Sequence, residues 1–304
     1  MGIRVAVDLA SGDDASAAAS GVSAALDADP DLAVVAVGPR SVAGVLASHP
    51  RVRLVDAFDR VAAAEDPGQA VRARRGVSVR LVTRLVRDGY ADAAVCPGPT
   101  AATTAAATFV LGLVPGVTRP ALAVAVATDT GRVVVVDAGA DPAAPAPTAE
   151  LLVQHALLGS AVAAGGVREQ PRVALLGPGA HPWALDGLRR DARDLLAGAS
   201  VGFVGIVDGD VLVHGGYDVA VTDGATGHLL LAALQATSPA VATAGGIVVG
   251  VDGVVVAAPG GSDAAGVGGC VATAAEMVRS GLLDRVRRAG GDAVGRRREL
   301  AGLR

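Results

Sequence analysis

Short runs of Val, Ala, Leu and Ile recur along the chain, each closed by Gly, Pro or Asp: residues 4–8, 32–38, 52–56, 91–96, 121–127, 133–137, 173–177, 201–207, 218–222 and 254–258. Within them the apolar positions are consecutive rather than alternating, the pattern of strands covered on both faces. Between many of them lie Ala- or Leu-rich stretches of helical length flanked by Arg and Asp, at 70–88, 148–164 and 185–196. Strand and helix in alternation predict an α/β fold, a mostly parallel sheet with helices on both faces in a three-layer α/β/α arrangement.

Polar or Gly-rich loops follow almost every strand-like run, at 8–14, 38–40, 97–104, 137–141, 177–181, 208–210, 223–228 and 259–263. In open α/β sheets the ligand crevice lies beyond the carboxyl ends of the strands, where helix N-termini and bare backbone N–H groups hold anions. These loops are therefore where a site is expected.

Composition narrows the chemistry. The chain has 304 residues, 51% of them hydrophobic, enough for one large core. We expect a single α/β domain over 1–289, followed by a loose Arg-rich tail over 290–304, with a second weakly ordered Pro/Ala loop at 141–148. All 26 basic residues are Arg, and neither Lys nor Asn occurs, which reads as codon bias toward GC-rich triplets. Without Lys there is no Walker-type phosphate loop and no Schiff-base lysine. A net charge of −4 speaks against a nucleic-acid partner. Cys96 and Cys270 lie too far apart in sequence for a CxxC site and fit a reducing cytoplasm. The first residues run into a strand without an apolar signal core, so a cytoplasmic protein is expected. Two uncharged stretches, 93–118 and 224–251, are interrupted by Pro and Gly, so no membrane insertion is expected. GxGxxG, GxSxG and HExxH are absent, and His49, His155, His181, His214 and His228 lack ligand spacing. Neither a metal nor a cofactor is expected.

More specific are the segments Gly89-Tyr90-Ala91-Asp92-Ala93-Ala94-Val95, then Gly98, Thr100 and Ala105-Ala106-Ala107-Thr108-Phe109-Val110-Leu111-Gly112, then Pro115-Gly116-Val117-Thr118-Arg119-Pro120. Ala6-Val7-Asp8 with Gly12-Asp13 is similar to an opening AVDAMGGD. Ala70-Val71-Arg72 with Arg74-Arg75 is similar to AVRxKK. Asp137-Ala138-Gly139-Ala140 is similar to DVGAN, and Leu158-Gly159-Ser160 to MGS. Asp218 to Gly224 with Gly227 resembles DVVVCDGFVGN, and Gly260-Gly261-Ser262-Asp263-Ala264 resembles HGSSDA. In this order the segments resemble the PlsX-type phosphate acyltransferase family of fatty-acid and phospholipid synthesis.

The resemblance implies an isopropylmalate dehydrogenase-like fold related to phosphotransacetylases. It also implies transfer of an acyl group from acyl carrier protein to phosphate, giving an acyl phosphate. Phosphate is itself the nucleophile, so the protein needs an anion cradle, a donor to the thioester oxygen and alignment. By resemblance, Asp8, Thr100, His228 and Ser262 are the catalytic candidates, and Gly12, Asp13, Gly98, Gly139, Asp223, Gly260, Gly261 and Asp263 the phosphate-holding ones. The plain alternative for each Asp, Ser or Thr is a helix cap or turn.

Departures fall on polar positions. Pro99 stands where the family's SAGNTGA loop has Asn, removing a side-chain amide and a backbone N–H together. Asp141 and His228 also replace Asn, Pro259 replaces His, and the Arg of EGRD is missing between Gly209 and Asp210. Between Leu234 and Gly245 only a short connection stands where the family inserts a helical hairpin associated with dimer contacts and membrane approach; a homodimer stays open. Two rival readings remain: a non-catalytic homologue that binds an acyl carrier or partner enzyme, and a divergent acyltransferase with another acceptor.

Overall fold

Every apolar run becomes a strand in the structure, a computed structural model that describes residues 2–302 apart from 63, 142–143, 165–169, 180, 200, 238–244 and 260. The chain divides into two compact units, Met1–Gly112 with Thr243–Leu283, and Leu113–Ala242 with Asp284–Arg304.

In the first unit the strands are β1 (Ile3–Asp8), β2 (Leu32–Val37), β3 (Val52–Val55), β4 (Ala93–Pro97), β10 (Gly246–Val249) and β11 (Val254–Ala258). They lie in the order β3-β2-β1-β4-β11-β10, all parallel except β10, which runs antiparallel to β11. Val5, Val7, Val95, Val255 and Val256 are fully buried, each worth roughly 1.5–3 kcal/mol of transfer from water. One helical layer holds α1 (Ala15–Ala28), with the short α2 (Arg40–Ala43) against it, and α9 (Ala264–Arg279); α1 and α9 pack on each other and, through α9, on β1, β4 and β11. The other holds α3 (Pro67–Ala73), α4 (Ser78–Arg87) and α5 (Thr100–Leu111). Helices α1 and α9 meet at glycine: a Cβ on Gly21 would collide with the Ala264 carbonyl and stand 2.9 Å from the Gly268 nitrogen.

The second unit has β5 (Ala121–Thr128), β6 (Gly131–Val136), β7 (Val173–Leu176), β8 (Phe203–Val207) and β9 (Val219–Val221), in the order β5-β6-β9-β7-β8. Only β5 is antiparallel to its neighbour. On one face α6 (Ala149–Ala163) comes so close that a Cβ on Gly159 would stand 2.7 Å from Val219. On the other, Leu230, Leu231 and Leu234 of α8 (Gly224–Thr237) pack on Val133, Val135 and Ala220. Helix α7 (Gly187–Ala197) covers β8. Each unit is thus a mostly parallel sheet between helices, the expected three-layer α/β/α fold.

Three expectations are corrected. The stretch 70–88 is two helices, because Arg74 and Val77 take extended backbone around Gly76, and Arg74 is held there by Asp59 and Glu65 at 2.7 and 2.6 Å. The residues from 290, expected to be loose, continue helix α10 (Leu282–Gly302): Val286, Ala289 and Ala293 bury, and Gly290 lets the helix lie against Val114 and Pro115. Strand β10 is not marked in the sequence because its apolar run is only Ile247-Val248-Val249, set between Gly245-Gly246 and Gly250. The short connection after Leu234 falls largely on 238–244, outside the described residues.

Candidate functional site

In the first unit β1, β4 and β11 run parallel and in register, Val7 beside Val95 and Ala258 beside Pro97. Their carboxyl ends therefore lie side by side, and loops 8–14, 97–100 and 259–263 emerge together. The Gly98 N–H donates to the Ala258 carbonyl at 3.3 Å, tying the second loop to the third. A Cβ on Gly98 would stand 2.9 Å from that of Ser11, so only Gly lets the first two loops touch.

At the centre of the first loop is Asp8, fully buried. Its carboxylate accepts the N–H groups of Ala10 and Ser11 at 2.8 and 3.2 Å and the hydroxyls of Ser11 and Ser78 at 2.6 and 2.9 Å. Burial pushes the Asp8 carboxyl above the usual range, against the pull of these donors. Behind it on β4, the Cys96 thiol is buried and pushed well up, first by burial and then by the Asp8 charge. It is a packed side chain with no thiolate to offer.

Helix α5 begins at Thr100 behind Pro99, which gives it no side-chain cap. No side chain therefore blocks the N–H groups of its first turn, at the end where the helix dipole favours an anion, although Ala102 turns back to the Pro99 carbonyl at 2.9 Å. In the third loop Asp263 caps α9 by accepting from the Gly266 N–H at 2.8 Å. The Ser262 N–H donates to Pro259 at 3.0 Å, and its buried Oγ has no hydrogen-bond partner among the described residues. A Cβ on Gly261 would lie 3.9 Å from an exposed Asp13 oxygen. Gly12 is buried in the first loop. Gly260 lies outside the described residues.

The second unit gathers the other candidates at the carboxyl ends of its parallel strands. Asp137, after β6, accepts N–H groups from Leu122, Gly139 and Ala140 at 2.9, 3.0 and 3.0 Å on one oxygen. Gly139, at φ +94°, lies against the exposed His228 of α8. Asp223 accepts from the Thr226 N–H and hydroxyl at 3.0 and 2.7 Å and from Arg189 at 2.8 Å. Burial works to raise the Asp223 carboxyl, but Thr226 and Arg189 outweigh it and hold it below the usual range. His155, on α6, is buried, and neither ring nitrogen meets hydrogen-bond geometry with any described residue. Burial lowers its proton affinity; the Asp137 charge opposes this, the Arg119 charge adds to it, and the nearby Thr222 carbonyl, short of hydrogen-bond geometry, opposes it slightly.

Asp8, Gly12, Asp13, Gly98, Thr100, Gly261, Ser262 and Asp263 thus belong to one loop cluster of the first unit, and Gly139, Asp223 and His228 to one of the second. Ser11, Ser78, Asp137 and Arg189 were not singled out as site residues from the sequence. Ser78 carried one legible signal: it is the first polar residue after the Gly76 break, where a helix start is readable.

Residues 3–243 match a family described as fatty acid synthesis protein. A phosphate acyltransferase of an Exiguobacterium species is 40% identical over 192 residues, 62% of this chain and 57% of that protein. Another, from Streptococcus equi subsp. zooepidemicus, is 34% identical over 241 residues, 77% of this chain and 71% of that protein. The chain therefore matches only 57% of the length of the first of these relatives. Among solved structures, a phosphotransacetylase from Streptococcus pyogenes is similar with a TM-score of 0.65 at 18% identity, covering 91% of this chain and 94% of that one. At that identity the likeness is one of fold.

Proposed function

This chain belongs to the fatty acid synthesis protein family, and on that premise we propose that it transfers an acyl group from a carrier thioester to inorganic phosphate, giving an acyl phosphate and free carrier thiol. The observation that carries this reading is the convergence of loops 8–14, 97–100 and 259–263 beside the uncapped start of α5. Backbone N–H groups at such a point bind a phosphate without any lysine, and this chain has none. Gly98, Thr100, Gly260, Gly261 and Ser262 are assigned to phosphate, Gly260 by its place in the sequence alone. Asp8 and Asp13 shape the loop beside them, and Asp263 sets the start of α9. Gly139, Asp223 and His228 are assigned to the second cluster, with His228 as its titratable group. Support comes also from the relatives called phosphate acyltransferase.

Acyl carrier protein and phosphate are the substrates in this reading, and the cytoplasm is where they meet. No described helix is long and apolar enough to cross a membrane, which agrees with water-borne substrates. Residues 1–289 are proposed to act as one functional domain, since each unit is completed by a segment from the far end of the chain. The test is to incubate the protein with an acyl carrier thioester and phosphate, and to measure carrier thiol and hydroxylamine-trapped acyl phosphate together. Equal release of both is expected. Neither product, together with no thermal stabilisation by phosphate, would instead support the non-catalytic homologue, the reading that Pro99 favours.

A further inference from the structure

The carboxylate of Asp8 is saturated: one oxygen accepts two backbone N–H groups, at 2.8 and 3.2 Å, and the other accepts the Ser11 and Ser78 hydroxyls, at 2.6 and 2.9 Å. With both hydroxyls donating to Asp8 the serine protons turn toward the carboxylate; the two serine oxygens also stand 3.0 Å apart, a contact in which either could be the donor. A hydroxyl that has given its proton inward presents only lone pairs outward. Ser11 is partly exposed, and its side chain lies against Gly98 of the loop assigned to phosphate. An anion settling there meets an acceptor as well as donors. That is a chemical filter, because phosphate near neutrality carries a proton on oxygen and sulfate does not.

We propose that Ser11 is the acceptor that recognises the P–O–H of phosphate and takes its proton during acyl transfer, with Asp8 as the proton's destination and Ser78 as the residue that positions the pair. The recognition half stands on the geometry alone; the transfer half rests on the acyltransferase reading. In that step a phosphate oxygen attacks the thioester carbonyl, the C–O bond forms, and the C–S bond breaks with its electron pair on sulfur. The phosphate proton passes to the Ser11 oxygen as the Ser11 proton passes to Asp8, and the buried Asp8 returns it by way of the partly exposed Ser11 and solvent to the departing thiolate. The sum is thioester plus hydrogen phosphate giving acyl phosphate plus thiol. Burial of Asp8 helps, since it brings the proton affinity of the carboxylate nearer to that of phosphate. Facing Asp8 are Ser78 from α4 and, from β4, the titratable thiol of Cys96.

The test compares phosphate with sulfate by thermal shift, and in parallel measures acyl phosphate formation against pH. For the parent, phosphate should bind about tenfold or more tightly than sulfate, the worth of one hydrogen bond involving a charged group. Ser11→Ala, partly exposed and so the gentler change, should bring the two anions within about threefold of each other and lower kcat by roughly 10², the usual share of a positioned base, with a smaller change in KM for phosphate. Ser78→Ala should move the acid limb of the kcat profile to higher pH, because a donor to the carboxylate is lost, and Ser78→Thr should restore it. Unchanged anion preference in Ser11→Ala overturns the proposal while leaving acyl transfer standing. Preference that depends on Ser11 without any acyl phosphate would keep the recognition and overturn the acyltransferase reading. Failure of the parent to distinguish the two anions overturns the proposal outright.

Discussion

Gly139 and His228 meet so closely that a Cβ on the glycine would stand 2.9 Å from the histidine Cβ, and Gly139 holds φ at +94°. Two separate constraints therefore exclude a side chain at 139. Left-handed backbone costs an L-residue roughly 1–2 kcal/mol, and overpacking adds about 1–3 kcal/mol. Gly139→Ala should lower the urea midpoint accordingly, and adding His228→Gly should recover only the steric share. Full recovery would show that the backbone conformation is unimportant; no loss in the single variant would refute both constraints.

The glycines of the first unit make opposite predictions according to what faces them. At Gly21 an added Cβ would collide with the Ala264 carbonyl, whereas at Gly269, within α9, it would meet nothing within 4 Å. Gly21→Ala should therefore part α1 from α9 and destabilise by about 1–3 kcal/mol, while Gly269→Ala should stabilise by about 0.5–1 kcal/mol through helix propensity. Denaturant unfolding of the two variants side by side decides the point, and equal effects would refute the α1–α9 crossing.

Pro99 offers α5 neither a capping oxygen nor an N–H. Losing one donor to a developing oxyanion typically costs about 10²–10³ in rate, so restoring one should recover part of it. Pro99→Asn is expected to raise acyl phosphate formation and Ser262→Ala to lower it. A Pro99→Asn variant no faster than the parent, read at saturating phosphate, would exclude position 99 from the transition state.

The strands were legible because each is an unbroken apolar run buried on both faces, as at β4 or β11. Loops at their carboxyl ends followed from parallel pairing alone. The helix 70–88 was misread because Ala, Val and Arg continue on both sides of Gly76, and only backbone geometry shows that the chain turns out there. Ser78 shows a readable helix start after Gly76, but its pairing with Asp8 is not readable, because the two lie 70 residues apart, a separation that no local pattern spans. His155 sits in a run so apolar that nothing marked it, although a histidine between Gln154 and Ala156 in a buried helix is where an unpaired ring belongs under suspicion.

That ring supports the last prediction. His155 is buried with no hydrogen bond to either nitrogen among the described residues, and its proton affinity lies below the ordinary value of 6.5, chiefly through burial. In the unfolded chain the imidazole gains its proton as pH falls through that value, while in the folded protein it stays neutral further down. Over that window the unfolded state binds more protons, so His155 makes stability fall as pH falls. Asp8 acts with the opposite sign. Its folded carboxyl keeps a proton that the unfolded one has lost, so its contribution is fully present at acid pH and declines as pH rises out of the carboxylate range. His155→Phe should therefore flatten the loss of melting temperature below about pH 6.5 and, by removing an unpaired buried polar ring, should not destabilise at pH 8 by more than the repacking cost of about 1–3 kcal/mol. Asp8→Asn should leave the decline below pH 6 in place, because Asp8 contributes with the opposite sign. If His155→Phe keeps the parent's full acid sensitivity, the imidazole is paired in the folded protein and the unpartnered ring assigned to it is wrong.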